Sequence, residues 1–234
     1  AVPLVLGCMD TLAFNFNSLA NENDSSLCCY LSGCIDPVAL NYDSVPCFND
    51  GSCNYTVTNI TQNTGSNMIQ NVVDLANSGD TIIMNPGTYT ENVITNSSIV
   101  LASKYLTTAD STYIDLTIID ANNTGPALTI NNSSSNIDLI GFIMKNGNNH
   151  DGGGVYIVDA NIVNLKKISI KSSVASGGGG GLHWNNNSYG FLNLSSCLVD
   201  GNSADGGGGI SVNNLDKLEI YNSIISNNTV VYDG

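Results

Sequence analysis

Apolar residues in the second half of the chain recur at a fixed spacing. Each of three glycine runs is followed at once by an apolar residue, which is Val155, Leu182 or Ile210, giving a period of 27 to 28 residues. Such a period is typical of stacked repeats. The pattern therefore predicts a solenoid in which each repeat forms one coil.

When the coils are aligned on the glycine runs, apolar residues alternate within each coil as strands require. The inward columns of a first strand are Ile137, Val163, Leu192 and Leu218, and then Leu139, Leu165, Leu194 and Ile220. Those of a second strand are Phe142, Ile168, Cys197 and Ser223, and then Met144, Ile170, Val199 and Ile225. A third strand contributes Val155 with Ile157, Leu182 with Trp184, and Ile210 with Val212. Three short strands per coil predict an all-β fold, the parallel β-helix.

Two segments carry a resemblance to known proteins. The units NSADGGGGI at 202–210 and IISNNTV at 224–230 are similar to the repeats of polymorphic outer-membrane adhesins. The motifs GDTI at 79–82 and PGTY at 86–89 are similar to the opening of the same family. The chain thus resembles the right-handed parallel β-helices of the pectate-lyase-like superfamily. This resemblance implies the fold but no single function, because lyases, hydrolases, adhesins and phage fibres share it.

Residues 7–55 form a different module, which holds six of the seven cysteines in two half-repeats. They resemble the short GCxDxxAxNY…DGSC repeats of large secreted surface proteins. So many cysteines in a loop-rich segment indicate a disulfide framework and an oxidising compartment. Six cysteines allow 15 pairings. The repeat alignment implies one of these, which joins Cys8 to Cys28, Cys34 to Cys53 and Cys29 to Cys47.

Metal binding by this module is the weaker interpretation. Zinc is disfavoured because Cys28 and Cys29 are adjacent and the module has no histidine. Calcium could use the module's aspartates, but the sequence has no D-x-D-x-D-G loop. We therefore expect solvated Asx-turns and no cofactor, with calcium as the alternative. The aspartates concerned are Asp10, Asp24, Asp36, Asp43 and Asp50.

The remaining segments complete the predicted organisation. Residues 1–6 read as a tail or linker strand, and 56–66 as a polar connector. A helix is predicted over 67–77 because Ile69, Val72, Val73 and Ala76 share one helical face. Asn67 would cap this helix, with Gln70 completing a capping box. The helix would cover the first coil of a β-helix that spans 67–234 and is expected to continue beyond it.

The charge balance narrows the range of partners. The chain has 20 acidic residues, six lysines and no arginine, and its net charge is −14. Such a surface repels nucleic acid and anionic lipid. No apolar run approaches the roughly 20 residues that a membrane-spanning helix needs. The abundant Asn, Ser, Thr and Gly fit turns that adopt left-handed or Asx-turn conformations.

Three groups of side chains are candidates for catalysis or ligand binding. His150 and Asp151, with Lys145 nearby, are the best catalytic candidates, although a solvated turn is the favoured interpretation. Around 183–189, His183, Trp184 and Tyr189 could stack on a sugar, but strand alternation predicts that Trp184 is core and His183 is exposed. The only basic cluster, Lys166, Lys167 and Lys171, is expected to be a solvated rim.

Two further features concern modification and thiol chemistry. Cys197 falls in an inward column, so a buried structural thiol is expected there rather than a nucleophile. Asn54, Asn59 and Asn122 begin Asn-x-Thr sequons in predicted turns and are candidate glycan acceptors.

Together these observations predict an extracellular structural or adhesive module of a larger cell-surface or filament-forming protein. Its partners would be extracellular glycans, surface proteins or copies of itself, with no nucleic acid and no direct membrane span. The alternative is a polysaccharide lyase or glycoside hydrolase on the same fold. No catalytic residue is assigned, because the chain lacks arginine and the Gly-His-Gly and Arg-Ile-Lys sequences of related hydrolases.

Overall fold

The computed structural model describes residues 2–131, 136–185 and 190–231, which fall into two compact units, Ala1–Tyr55 and Thr56–Gly234. In the first unit, each half-repeat contains one short parallel strand pair. The elements are β1 (Leu6–Gly7), β2 (Glu22–Asn23), a 3-10 helix (Ser25–Leu27), β3 (Ser32–Gly33) and β4 (Phe48–Asn49).

The second unit consists mainly of short strands. It begins with β5 (Val57–Asn59), β6 (Thr64–Ser66), α1 (Ile69–Asp74), β7 (Thr81–Met84), β8 (Gly87–Tyr89), β9 (Val93–Thr95) and β10 (Val100–Ser103). It continues with α2 (Tyr105–Thr108), α3 (Thr112–Leu116), β11 (Thr117–Asp120), β12 (Leu128–Asn131), β13 (Asn136–Ile140), β14 (Ile143–Lys145), β15 (Asn148–Asn149) and β16 (Val155–Asp159). The remaining strands are β17 (Ile162–Lys166), β18 (Ser169–Lys171), β19 (Val174–Gly178), β20 (Leu182–Asn185), β21 (Phe191–Ser195), β22 (Leu198–Asp200), β23 (Ser203–Gly206), β24 (Ile210–Asn213), β25 (Lys217–Tyr221), β26 (Ile224–Ser226) and β27 (Thr229–Val230).

These strands stack into a parallel β-solenoid of about five turns, which confirms the predicted fold. The first sheet has the order β25-β21-β17-β13-β10-β7-β5-β6, and only β5 and β6 run antiparallel to their neighbours. The second sheet is β26-β22-β18-β14-β11-β8, and the third is β24-β20-β16-β12-β9. Strands β15, β19, β23 and β27 form a fourth, short sheet beside the glycine runs.

Strand register confirms the apolar columns. Val163 pairs with Ile137 on one side and with Leu192 on the other, and all three are fully buried. The same columns become exposed in the last coil, where Leu218 and Ile220 are each 40% exposed. Burial of an inward column therefore depends on a coil packing on both sides.

The corners explain why the chain is rich in asparagine and glycine. After each strand of the second sheet, from β11 to β26, the chain takes at least one residue with φ between 49° and 66°, and after β11 both Asn122 and Asn123 do so. This left-handed conformation favours glycine and, next, asparagine. The corner residues are Asn122, Asn146, Ser172, Gly201 and Asn227.

Residues 56–66 are not the polar connector that the sequence suggested. They form the β5–β6 hairpin, and β5 extends the first sheet by pairing antiparallel with β7. Val57 and Asn59 are buried because alternate residues of β5 face the core. The hairpin thereby supplies hydrogen bonds to an edge of β7 that would otherwise lack a strand partner.

Helix α1 covers the first coil, but it is shorter than predicted and differently capped. Its N-cap residue is Met68, while the Asn67 side chain accepts a hydrogen bond from the Thr56 amide instead. The Glu91 carboxylate accepts from the amides of Ile69 and Gln70, at 2.9 and 3.0 Å. A distant acid thus replaces the local capping box, since only the solenoid brings it to the helix.

Replacing Glu91 with alanine should show that helix α1 depends on a cap from a residue distant in the sequence. Two helix amides lose their acceptor, and we expect the free energy of unfolding to fall by about 1 kcal/mol. Urea unfolding followed by the fluorescence of the single tryptophan measures the change. Glu22→Ala, at an exposed residue of the first unit, is the control. Equal stability of both variants would contradict the assigned cap.

The segment between β10 and β11 leaves the coil and forms α2 and α3. Tyr105 lies against the corner at Gly141, where an added Cβ would come within 3.0 Å of its ring. The Lys167 ammonium lies 5.5 Å from the centre of the same ring, an arrangement that favours a cation–π interaction. The insertion is thereby held at the corner between the first two sheets.

Candidate functional site

The six cysteines of the first unit form three disulfides. The structure joins Cys8 to Cys28, Cys29 to Cys47 and Cys34 to Cys53, which is the pairing that the repeat alignment implies. Two bridges close one half-repeat each, and the Cys29–Cys47 bridge links the two halves. Because the first unit has few buried apolar residues, these crosslinks supply constraints that a small core cannot.

The aspartates weighed as calcium ligands serve the turns of the module. Asp10 and Asp36 each accept from a backbone amide two residues on and from a tyrosine hydroxyl, at Tyr30 and Tyr55. These bonds lower the pKa of both carboxyls. Burial and the bond to Asp36 raise the pKa of Tyr55 to about 12. Asp24, Asp43 and Asp50 make the same kind of Asx-turn.

The three candidate glycan acceptors differ in exposure. Asn54 and Asn122 are exposed, as an acceptor must be. Asn59 is only 1% exposed, so the expectation of a turn acceptor is wrong at this residue. Its side chain lies inside β5, where it donates to the Asp80 carboxylate at 2.8 Å and accepts from the amides of Thr61 and Gln62.

The structure pairs His150 with Asp151 but gives Lys145 a different partner. The Nδ1 atom of His150 lies 3.2 Å from Oδ2 of Asp151, and the Gly178 amide donates to Oδ1 at 2.8 Å. Lys145 instead forms an ion pair with Asp120 at 3.2 Å. Adjacent coils place Lys145 and Asp120 in register, so each ion has a partner before any substrate arrives.

His183 joins this corner, contrary to the prediction that it would be exposed. It is only 4% exposed, although it points away from the core residues Leu182 and Trp184. The glycine run folds over the outer face of β20 and covers the imidazole, since an added Cβ at Gly178 would lie 2.7 Å from Nδ1. Strand alternation could not reveal this cover, because a neighbouring loop provides it.

Trp184 is fully buried, as predicted, between Ile157 and Val212 in the third sheet. Its indole therefore packs in the core and is not a sugar-stacking platform. Tyr189, the third aromatic residue of that group, lies outside the described residues.

The electrostatic surroundings within the group His150, Asp151 and His183 favour a charged Asp151 and a neutral His183. Burial works to raise the pKa of Asp151, but hydrogen bonds from the Gly178 amide and His150 outweigh it and lower that pKa. For His183, burial lowers the pKa, and the Asp151 charge only partly opposes this. Among the described residues, no nucleophile lies in hydrogen-bond contact with the His150–Asp151 pair.

The remaining candidate residues, Lys166, Lys171 and Cys197, lie at positions that indicate structural rather than catalytic roles. Lys166 is exposed at the end of β17, and Lys171 lies in register between Lys145 and Asp200 on the second sheet. Cys197 is buried in its inward column, as predicted, and its sulfur lies 3.3 Å from the Leu165 carbonyl oxygen. Burial raises the pKa of this thiol, which disfavours the nucleophilic thiolate.

The outer face of the first sheet carries a polar column that the sequence pattern did not predict. Asn164 donates to Asp138 at 2.7 Å, and Asn193 donates to Asn164 at 2.7 Å. Glu219 occupies the next register position and pairs with Lys217. The signal was present one residue beside the inward columns, at the same period. We refer to Asp138, Asn164, Asn193 and Glu219 as the polar column.

Comparison with known proteins adds no assignment, because the chain matches no protein-family model, no curated protein and no solved structure. Within the described ranges, no cluster of three or more His, Cys, Asp or Glu side chains is arranged to hold a metal ion. The helices of those ranges are also too short and polar to cross a membrane. The geometry of the surfaces therefore carries the functional argument.

Proposed function

We propose that this chain is an extracellular structural or adhesive module of a larger cell-surface or filament-forming protein, in the manner of the adhesins its repeats resemble. Three disulfides support an oxidising environment. We infer that the stacked coils form an elongated rod, because strands of the solenoid sheets hydrogen-bond to equivalent strands in neighbouring coils. Such a rod suits a protein that displays a binding surface away from the cell.

The polar column is the observation that carries the adhesive function. It repeats one hydrogen-bonding group per coil, at the spacing of neighbouring parallel strands, about 4.8 Å. Its members are partly exposed, and the aromatic rings of Phe191 and Tyr221 flank them with 39% and 56% exposure. A regular row of acceptors and donors beside rings is suited to an extended polymer rather than to a small molecule.

Neutral glycans are the partner class that this surface fits best. Amide and carboxylate groups bind sugar hydroxyls in pairs, and aromatic rings stack on the apolar faces of sugar rings. The net charge of −14 disfavours acidic polymers. Surface proteins and copies of this chain are the competing partners. Self-association is detected by measuring the mass of the protein in solution over a range of protein concentrations.

Binding to a panel of immobilised neutral and acidic glycans tests the proposal. Asn193→Ala should weaken binding about tenfold or more, the equivalent of one lost charge-neutral recognition contact of about 1.4 kcal/mol. Ser169→Ala, on the outer face of the second sheet, is the matched control and should bind like the parent protein. Binding that is unaffected by Asn193→Ala, or absent for every neutral glycan, would exclude the polar column as a glycan surface.

The enzyme alternative depends on the His150–Asp151 pair. Incubation with the same polysaccharides should release no new reducing or unsaturated ends if the module is structural. Product formation that disappears in His150→Ala would overturn the structural proposal and assign a lyase or hydrolase activity.

A further inference from the structure

His183 is buried beside a backbone corner that depends on a carboxylate. Its Nδ1 atom has no hydrogen-bond partner within the described ranges, and the side chain is 4% exposed. A buried polar atom without a partner costs free energy, about 1 to 3 kcal/mol. The buried site therefore tolerates a neutral imidazole, whereas burying a charged imidazole there is costly in free energy.

Gly178 separates His183 from Asp151. The Gly178 amide donates to Asp151 Oδ1 at 2.8 Å, and an added Cβ at the same residue would lie 2.7 Å from His183 Nδ1. Gly177 lies against the other side of the cluster, where an added Cβ would come within 2.6 Å of Asp151 Oδ1. The short segment 177–179 thus lies between an imidazole and a carboxylate.

The charged and titratable groups around His183 are few. Asp151 attracts its proton, and His150 repels it from the same turn. From β16, the Tyr156 ring lies 6.0 Å from the imidazole and carries no charge near neutral pH. From β24, the register neighbour is the uncharged Ser211. Asp151 is therefore the one carboxylate that stands close enough to compensate a charged His183 among these neighbours.

We propose that His183 is an acid-sensitive latch for the glycine corner 177–179. A proton from solvent that binds the imidazole creates a charged donor. Because Gly178 lies between the two groups, the Asp151 carboxylate can accept from that donor only if the Gly178 segment moves aside. That movement breaks the bond from the Gly178 amide to Asp151 and loosens the corner, which then keeps only its backbone bonds, such as those from Gly177 to His150 and from Gly179 to Gly206. Loosening exposes the outer face of the third sheet, where Tyr156, His183 and Ser211 stand in register.

The sign of the pH dependence follows from burial. Burial lowers the pKa of His183, whereas an unfolded chain takes up its proton near pH 6.5. The stability that neutral His183 permits is therefore fully present above about pH 6.5 and is lost as the pH falls through the lower pKa of the folded state. The latch is closed at neutral pH and opens on acidification.

Amide hydrogen exchange tests the latch. After correction for intrinsic rates, amides of 177–181 should exchange about tenfold faster at about pH 5 than at about pH 7.5, while β17 amides keep their protection. His183→Gln, which cannot be protonated in this range, should remove the pH dependence. His150→Gln, at the exposed neighbour, should retain it.

Unchanged protection of 177–181 across this range would overturn the proposal, and so would an identical pH dependence in His183→Gln. If His183→Gln does not fold, an NMR titration of the parent protein decides the matter. A Gly178 amide resonance that moves together with the His183 imidazole supports the latch. An imidazole that titrates without moving this resonance overturns it.

Discussion

Gly180→Ala is expected to unfold most of the solenoid or to lower its free energy of unfolding by about 3 kcal/mol or more. An added Cβ at this position would overlap the carbonyl oxygens of Ser203 and Gly208 in the next coil. Both obstacles are backbone, so no side chain can rotate away. The Gly180 carbonyl also accepts from the Gly154 amide, and the coil on its other side resists a shift.

The matched control for this substitution lies in the next glycine run. An added Cβ at Gly206 would meet only the Gly177 carbonyl oxygen, at 3.8 Å, which is ordinary contact. Gly206→Ala should therefore change stability by less than about 0.5 kcal/mol. Urea unfolding followed by the fluorescence of Trp184, which is buried in the third sheet, reports on both variants. Equal loss in the two variants would show that these glycines act through chain flexibility and not through close packing of coils.

Asn202→Ala is expected to have the second large effect, lowering the free energy of unfolding by about 3 kcal/mol. The Asn202 side chain is 1% exposed and faces the interior at the corner after the second sheet. Its oxygen accepts from the Ser173 amide at 3.0 Å, and its nitrogen donates to the Ile170 carbonyl at 3.1 Å. The same nitrogen donates to Asn228 of the following coil, at 3.0 Å. Alanine would leave buried backbone groups without partners, each costing about 1 to 3 kcal/mol.

Asn161→Ala provides the comparison for this interior amide. The Asn161 side chain also donates to an asparagine of the neighbouring coil, Asn136, at 3.0 Å, but it does so at the surface. Water replaces that bond, so the cost should stay below about 0.5 kcal/mol. Thermal unfolding of both variants decides between the two positions. If the Asn202→Ala protein is as stable as Asn161→Ala, the hydrogen bonds of the buried Asn202 side chain do not stabilise the corner.

The inward columns could be predicted because they depend on spacing alone. A strand's period of two and the coil's period of 27 to 28 residues fix which side chains share a face, as Val163, Leu192 and Trp184 illustrate. The polar column was equally accessible, since its members alternate with the inward ones. Its members give no distinct signal, however, because neutral asparagines are also frequent in the turns of this chain.

Other features depended on which distant segments come together. The cap that Glu91 provides to α1 joins residues more than twenty positions apart, and no local motif indicates it. The burial of His183 likewise depends on a glycine corner that folds over β20. In both cases a backbone or side chain from another part of the coil supplies the environment, and propensity and periodicity describe only the residue's own segment.

Periodicity and cysteine spacing predict a stack of coils preceded by a cysteine-rich double repeat. Periodicity and composition suffice for that conclusion, because they report which residues must face inward and which can form corners. The pairing of residues 56–66 with the first sheet and the burial of His183 against Gly178 required the tertiary structure. Both features depend on contacts between segments that are distant in the sequence, and these contacts form only when the coils stack.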